Sequence, residues 1–192
     1  MVNIALFASG NGSNVQRITE YFAHSEKVKI KLVLSNKPDA YVLERARLLN
    51  IPAFVFNRED FYASDKVLKI LEDNEIAYIV LAGFLWKVPA NLLEIYSGHI
   101  LNIHPALLPQ YGGKGMYGMK VHQAVIGAEE KESGITIHLV NDHYDEGEII
   151  FQARCPIEPN DTPEVLAEKI HLLEHEYFPK VIESVVLGEP LQ

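Results

Sequence analysis

The chain has 192 residues, of which 48% are apolar and 22% are charged, and both values are close to those of average globular proteins. Its net charge of -9 at pH 7 comes without a cluster of Lys and Arg, which argues against nucleic acid as a partner. No apolar run approaches the roughly 20 residues that a membrane-spanning helix needs, so we expect no membrane association.

Two features indicate the compartment. The segment from Met1 to Phe7 lacks a basic leader, which is typical of a first strand and not of a signal peptide. Cys155 is the only cysteine and has no partner for an internal disulfide, as expected in a reducing compartment. The sequence therefore predicts a cytoplasmic protein in which Cys155 has a structural role.

Short β-rich runs alternate with helical patterns in the first half of the chain. Val15, Ile18 and Phe22 recur at the spacing of a helix. The predicted strands are Val2–Ala8, Val28–Leu34, Ala53–Phe56 and Ile76–Ala82, and two further helices are predicted, one from 35–39 through Leu49 and one over Phe61–Asp73. This alternation predicts an α/β fold: a single domain with a doubly wound, Rossmann-like, mostly parallel sheet and helices on both faces.

The second half changes character. A short strand, Ile100–His104, enters a loop rich in Pro and Gly that runs from Pro105 to Gly118. Two strands follow, Ile135–Val140 and Glu148–Arg154, joined by the polar turn Asn141–Gly147. A long helix begins near Thr162, where a capping residue precedes an early Pro and Glu. Pro179 is expected to bend or interrupt this helix.

A glycine-rich turn, Ser9–Asn14, lies between the first strand and the first helix. Its glycines let the backbone approach an anion, and the free N–H groups of the helix N-terminus favour negative charge. The spacing matches neither the dinucleotide motif nor the Walker loop, so a single phosphate is the favoured ligand. The alternative is a tight turn with an ordinary cap at Ser13 or Asn14.

Asn102 and His104 are two residues apart in a predicted strand, so their side chains point to the same face. An amide N–H donor beside an imidazole suits a reaction in which a carbonyl oxygen gains negative charge. A carboxylate nearby would favour the imidazolium and raise the pKa of His104. Asp145 is the candidate, with Asp142 and Glu146 as rivals, and a purely structural role for each residue stays open.

A metal site is not expected. His171 and His175 are four residues apart on one predicted helix, a spacing that two zinc ligands could share. No third ligand with a diagnostic spacing follows them.

Together these segments resemble the folate-dependent phosphoribosylglycinamide formyltransferases, from Asn3 to about Pro179. The resemblance rests on Ile4–Asn14, Leu43–Arg47, Val80–Phe84, Leu101–Pro105 with Leu107–Pro109, the Asp145 turn and Glu174 with His175. Each segment is weak alone, but their order and spacing are specific. The resemblance implies an enzyme of de novo purine biosynthesis. Such an enzyme transfers the formyl group of 10-formyltetrahydrofolate, a co-substrate, to the amine of glycinamide ribonucleotide without a covalent enzyme intermediate.

The resemblance also implies residue roles. Asn102 and protonated His104 would stabilise the oxyanion, while Asp145 would maintain the charge of His104 and relay a proton to the departing folate nitrogen. The ribonucleotide would be bound by Gly12, Ser13 and Asn14 at its phosphate, and by Glu174 and His171 at its ribose hydroxyls or glycinamide. The folate would lie near Arg58, Leu85, Trp86, Lys87, Val88, Asn102, Asn141 and Asp145.

The chain departs from the common family pattern at three places. Ala106 stands where Ser often follows the Asn-Ile-His-Pro segment, and Trp86-Lys87 stands where an Arg beside the pterin is expected. Between Gln110 and Val121 the loop is longer than in many relatives, and its glycines suit either a mobile lid or a surface excursion.

Three rival functions remain open. A formyltetrahydrofolate hydrolase on the same scaffold needs no phosphate turn and usually has an added N-terminal domain. A transfer-RNA formyltransferase would be expected to have a further C-terminal domain and a basic surface. A non-catalytic folate or nucleotide sensor would not require the trio of Asn102, His104 and Asp145. The assembly is expected to be a monomer or a homodimer.

Overall fold

The computed structural model describes residues 1–191, and one seven-stranded sheet runs through them. The strands are β1 (Val2–Phe7), β2 (Val28–Ser35), β3 (Ala53–Val55), β4 (Tyr78–Leu81), β5 (Ile100–His104), β6 (Glu132–Leu139) and β7 (Ile149–Pro156). Their order across the sheet is β3-β2-β1-β4-β5-β6-β7. The first five pair in parallel, whereas β6 and β7 are antiparallel to their neighbours. The predicted α/β class with a mostly parallel sheet is confirmed.

The strand order reverses between β1 and β4. From β1 the chain moves outward through β2 and β3, then returns to the other side of β1 to form β4 and β5. Open parallel sheets bind ligands at such a point, beyond the carboxyl ends of the strands. Topology alone therefore favours a site formed by the segments that follow β1, β4 and β5.

Both faces of the sheet are buried, and β1 shows why its sequence is almost continuously apolar. Ile4 and Leu6 pack on one face, and Ala5 and Phe7 pack on the other. A strand covered on both faces has no polar side to alternate with, unlike a strand with one face in water.

Seven helices cover these faces: α1 (Ser13–Tyr21), α2 (Tyr41–Leu48), α3 (Arg58–Tyr62), α4 (Lys66–Asp73), α5 (Ala90–Ile95), α6 (Met119–Gly127) and α7 (Pro163–Leu187), as seen in the described residues. Buried residues of α1, α2, α6 and α7 form one core, and those of α3, α4 and α5 form the other. The sequence interpretation did not include the short helices α5 and α6.

The helix predicted over Phe61–Asp73 is wrong, because this stretch contains the end of α3 and all of α4. Asn57 and Asp60 form a reciprocal capping box that starts α3 at Arg58. The chain leaves the helix at Ala63 and re-enters it after Asp65. Strong local capping thus produced two short helices where apolar spacing suggested one.

The helix α7 begins as predicted and then continues through Pro179. The Thr162 hydroxyl accepts a hydrogen bond from the Val165 N–H, and Pro163 occupies the first turn. Of the two effects expected of Pro179, a bend or an interruption, the interruption does not occur, since helix runs on both sides of it as far as Leu187. Pro179 is buried between Phe178 and other core residues, so packing holds the helix together despite the missing N–H.

Within residues 1–191, none of the helices combines the length and the apolar character needed to cross a membrane.

Candidate active site

A cleft of about 700 Å³ opens at the carboxyl ends of β1, β4 and β5. It is lined by the turn after β1 (9–14), the segment after β4 (82–85), the loop after β5 (113–118), and side chains that include Asn102, His104, His122, Asp145, His171 and Glu174. This volume lies within the usual range for small-molecule sites. The cleft therefore lies where the reversal of strand order predicts a ligand.

The turn after β1 is built around Gly12, which caps α1 at a φ of 77°. A Cβ on Gly12 would lie 2.4 Å from Cγ2 of Val42, so both the backbone and the close approach of α2 require glycine. Arg45 donates hydrogen bonds to the carbonyl and side-chain oxygens of Asn11 at 2.8 and 2.7 Å, which anchors the turn. The first turn of α1 has no acidic residue and no side-chain cap, so its N–H groups stay available for an anion.

Gly12→Ala is expected to lower the free energy of unfolding by about 2 kcal/mol, because alanine brings both a strained positive φ and a clash with Val42. Urea denaturation measures the change. Gly10→Ala is the matched control, since a Cβ there meets nothing within 4 Å and its φ is not positive. Equal stability of the two variants would contradict this explanation of Gly12.

Glu174 connects α7 to the same turn. The Asn14 side-chain amide donates to Oε2 of Glu174 at 2.9 Å, and Oδ1 of Asn14 is buried without a partner among the described residues. Burial raises the pKa of Glu174, although the Asn14 hydrogen bond and the nearby His171 oppose that shift. His171 lies one turn before Glu174 and lines the cleft with an exposed side chain. The structure thus brings Gly12, Ser13, Asn14, His171 and Glu174 together in the lining of one cleft.

His104 and Asp145 lie together although 41 positions (145 − 104) separate them in the sequence. The distance from Nδ1 of His104 to Oδ2 of Asp145 is 3.5 Å, and the His104 ring is only 3% exposed. Nε2 of His104 lies 2.7 Å from the carbonyl oxygen of Tyr111. Because a carbonyl can only accept, Nε2 carries a proton and Nδ1 is the atom that faces the carboxylate.

Asp145 lies beside His104 and raises its pKa, as expected of a carboxylate, but the net shift of the His104 pKa is downward. Burial lowers the pKa of His104, and this effect outweighs Asp145 and the Tyr111 carbonyl, which raise it. Burial also acts to raise the pKa of Asp145, but the nearby His104 ring and the hydrogen bond from the Gly113 N–H oppose this effect, and the pKa is lowered overall. The resting site therefore favours an ionised Asp145 and a His104 that protonates less readily than a free imidazole.

The loop after β5 holds this pair from the backbone. The Gly113 N–H donates to Oδ2 of Asp145 at 2.9 Å, and the Tyr111 carbonyl accepts from His104. A Cβ on Gly112 would lie 2.5 Å from Cδ2 of Leu108 and 3.2 Å from Cβ of Asp145, so a side chain there would have to displace the Leu108 side chain. The loop backbone at Tyr111 and Gly113 therefore positions the pair of His104 and Asp145.

Two further histidines belong to the site and were missed by the sequence interpretation. His138 on β6 lies 3.0 Å from the Asn102 amide nitrogen, measured from Nε2. His122 on α6 lines the cleft, is 3% exposed, and has a buried Nδ1 without a partner among the described residues. Two features bring these histidines to the site: the antiparallel pairing of β5 with β6, and the helix α6. Neither feature can be predicted from the local sequence pattern.

His122 should make folding pH-dependent. Burial, together with the neighbouring His171 and His104, lowers the pKa of His122 from its ordinary 6.5 to about 4. The folded state thus disfavours the proton, so the stability contribution is complete above pH 6.5 and is lost as the pH falls toward 4.

Between pH 7.5 and 5.0 the wild type is expected to lose about 2 kcal/mol more stability than His122→Asn, which has no imidazole to protonate. Urea denaturation at the two pH values measures the difference. His24→Asn removes an exposed histidine and serves as the control. A wild type and a His122→Asn variant that lose equal stability would contradict the expected protonation cost.

The segment after β4 joins the cleft through Ser9. The Leu85 N–H donates to the Ser9 hydroxyl at 3.0 Å, and that hydroxyl donates to Oδ1 of Asn36 at 2.7 Å. Beyond Leu85, the Arg58 guanidinium lies over the Trp86 ring at 4.9 Å, and the Tyr62 hydroxyl donates to the Lys87 carbonyl at 2.9 Å. Arg58 and Trp86 thus form a cation–π pair beside this segment.

Of the residues predicted to contact folate, Leu85, Asn102 and Asp145 line the cleft. The remaining ones, Arg58, Trp86, Lys87, Val88 and Asn141, are not among its lining residues. Val88 is buried, and the Asn141 side chain holds its own turn by donating to the Glu146 carbonyl at 3.2 Å. A ligand in the cleft would have to extend beyond it to reach these five residues.

Within the described part of the chain, no group of three or more His, Cys, Asp or Glu side chains is arranged to hold a metal ion.

Known proteins resemble this chain in both sequence and structure. A family model described as formyl transferase matches residues 2–182. A chloroplastic phosphoribosylglycinamide formyltransferase of Arabidopsis thaliana is 39% identical over 188 residues, which are 95% of this chain and 64% of that protein. The phosphoribosylglycinamide formyltransferase of Bacillus subtilis is 36% identical, with 97% of this chain and 95% of that protein covered.

Among solved structures, glycinamide ribonucleotide transformylase 1 of Geobacillus kaustophilus superposes with a TM-score of 0.88 at 36% identity. The superposition covers 97% of this chain and 99% of that one. The chain thus spans less than two thirds of the chloroplastic relative's length but nearly all of this bacterial one.

Proposed function

Because the chain belongs to the formyl transferase family, we propose that it transfers the formyl group of 10-formyltetrahydrofolate to the amine of glycinamide ribonucleotide. The products would be formylglycinamide ribonucleotide and tetrahydrofolate, in de novo purine biosynthesis. One observation carries the proposal: Asn102, His104 and Asp145 open into the same cleft as the anion-binding turn at Gly12–Asn14 and the buried Glu174. A hydrolase acting on formyl-folate alone would have no use for that turn.

The residues of the turn support binding of the ribonucleotide. The free N–H groups at the start of α1 would hold its phosphate, with Gly12, Ser13 and Asn14 as the contacts. Glu174 and His171 would bind the ribose hydroxyls or the glycinamide, and the unpartnered Oδ1 of Asn14 is a free acceptor beside them. Leu85 and the turn around Asp145 would contact the folate at the other end of the cleft.

Formyl transfer requires that the two substrates be held in contact and that the negative charge of the tetrahedral intermediate be stabilised. Holding the amine beside the formyl carbon removes much of the entropic cost of a bimolecular reaction. As the new C–N bond forms, the Asn102 amide and protonated His104 would stabilise the oxyanion. The amine proton would pass, through Asp145 or a water, to the folate nitrogen as the old C–N bond breaks.

The chemistry of His104 supports this role. Its Nδ1 faces an ionised carboxylate, so a developing oxyanion adds a second negative group that favours the imidazolium. A ring whose pKa burial has lowered is also a stronger hydrogen-bond donor once protonated, which suits stabilisation of the oxyanion.

The decisive experiment is a formyl-transfer assay that follows loss of 10-formyltetrahydrofolate, with and without glycinamide ribonucleotide. Loss that requires the ribonucleotide and produces formylglycinamide ribonucleotide supports the proposal. Loss without ribonucleotide would identify a hydrolase instead. Binding of either compound without turnover would indicate a non-catalytic folate or nucleotide sensor.

The same proposal extends to organisation and compartment. We propose one formyltransferase domain, since a single sheet includes strands from Val2 to Pro156 and α7 packs on it. The lone Cys155 suits a reducing compartment, and we propose the cytoplasm. A monomer or a homodimer is proposed as the assembly, which sedimentation measures directly.

A further inference from the structure

His138 stands directly opposite Asn102 in the sheet. The two residues are Cα partners in the antiparallel ladder between β5 and β6. Nε2 of His138 lies 3.0 Å from Nδ2 of Asn102, and the His138 ring is 2% exposed. Opposite residues on antiparallel strands have Cβ atoms about 5 Å apart, so the pair is held together by backbone register.

The backbone determines which nitrogen of His138 carries the proton. Nδ1 lies 2.8 Å from the carbonyl oxygen of Leu139, which can only accept a hydrogen bond. The proton is therefore on Nδ1, and Nε2 of the neutral ring has a lone pair. A lone pair requires a donor, so it selects the NH₂ end of the Asn102 amide and rejects the oxygen end.

The turn before β7 keeps the His138 ring in this orientation. A Cβ on Gly147 would lie 1.7 Å from the Leu139 carbonyl oxygen and 3.3 Å from Nδ1 of His138. The Gly147 backbone thus packs directly against the hydrogen bond between Nδ1 of His138 and the Leu139 carbonyl. Nε2 also lies 3.7 Å from Oδ1 of Asp145, which is beyond hydrogen-bond distance.

We propose that His138 is a positioning residue that fixes the Asn102 amide with its nitrogen toward the reacting centre. One N–H of Asn102 is used by His138, and the second is left for the oxyanion in the cleft. Without His138 the amide can turn by 180°, and its oxygen would then repel the oxyanion. The inference rests on the proposed formyl transfer and adds to it a residue that does not touch the substrates.

The kinetic test compares His138→Leu and His138→Gln with the wild type. Leucine removes the acceptor, so kcat is expected to fall about 10- to 100-fold, which is less than loss of an oxyanion donor itself, while both KM values stay within about threefold. Glutamine offers an amide oxygen near the position of Nε2 and should recover part of kcat. Ile135→Val, a buried change on the same strand, controls for loss of packing.

The double variant with Asn102→Ala separates His138 acting through Asn102 from His138 acting through Asp145. In the Asn102→Ala background, His138→Leu is expected to change kcat by less than about twofold, because no amide remains to be oriented. An undiminished 10- to 100-fold loss in that background would overturn the proposal and indicate an effect through Asp145. An unchanged kcat in the single variant would overturn it too.

A readout independent of activity follows the tautomer. Long-range ¹H–¹⁵N spectra of ¹⁵N-histidine protein, assigned with the His138→Gln variant, are expected to show the Nδ1–H form for residue 138. An Nε2–H form would overturn the inference even if transfer is normal. A wild type that fails to transfer formyl groups but shows the Nδ1–H form would overturn the proposed function and the catalytic purpose of the pair, while its geometry stands.

Discussion

His104→Ala is expected to lower kcat for formyl transfer by about 100- to 10,000-fold, the usual contribution of a general acid or base. Alanine removes the donor to the oxyanion and the charged partner of Asp145. It also leaves the Tyr111 carbonyl without its 2.7 Å partner. The KM for the ribonucleotide should change little, because its phosphate is expected to bind at Gly12–Asn14.

The assay is the ribonucleotide-dependent loss of the formyl donor, with thermal unfolding measured alongside it. His99→Ala is the matched control, since His99 is exposed and immediately precedes the same strand, β5, at the end remote from the cleft. His104→Gln retains a hydrogen-bonding group for the Tyr111 carbonyl, and should be as inactive as His104→Ala. A folded His104→Ala protein with more than a tenth of the wild-type kcat would rule out His104 as the group that stabilises the oxyanion.

Asp145→Asn is expected to lower kcat/KM by at least about 100-fold at pH 7.5. The Asp145 charge raises the pKa of His104 against the stronger effect of burial, so its loss lowers that pKa further. Fewer His104 rings are then protonated at a given pH. The residual activity should therefore decline with rising pH at a lower pH than in the wild type.

Rate profiles from pH 5 to pH 9 measure this displacement. Asp142→Asn, a change of an exposed carboxylate on the same turn that pairs with His143, is the control and should leave both rate and profile unchanged. If Asp145→Asn lowered the rate without moving the profile, the carboxylate would act as a proton relay and not as a partner that sets the charge of His104. An unchanged rate would remove Asp145 from the mechanism.

The sheet was predictable because its strands obey local rules. In β1, alternate apolar residues on both faces indicate a strand covered on both sides, and the glycine turn that follows marks a helix start. Boundaries were predicted to within three residues for all seven strands. The errors came where tertiary contacts or capping competed with pattern, as at Asn57, which starts α3 early, and at Pro179, which packing keeps within α7.

The histidines were harder to interpret. His104 belongs to a recognisable segment, but the predicted rise in its pKa counted only the carboxylate and left out burial, which has the larger effect. His122 and His138 have no local signal that separates them from exposed histidines such as His24. Their burial depends on α6 packing over the cleft and on β6 pairing with β5.

By itself the sequence determined the fold class, the glycine turn at the start of α1, and Asn102 with His104 on one face of a strand, because each depends on residues at most a few positions apart. Only the tertiary structure decided that Asp145, and neither Asp142 nor Glu146, is the carboxylate that meets His104. It alone paired His138 with Asn102. The physical reason is that strand order and register bring distant residues together through packing and backbone hydrogen bonds between strands, which local pattern does not encode.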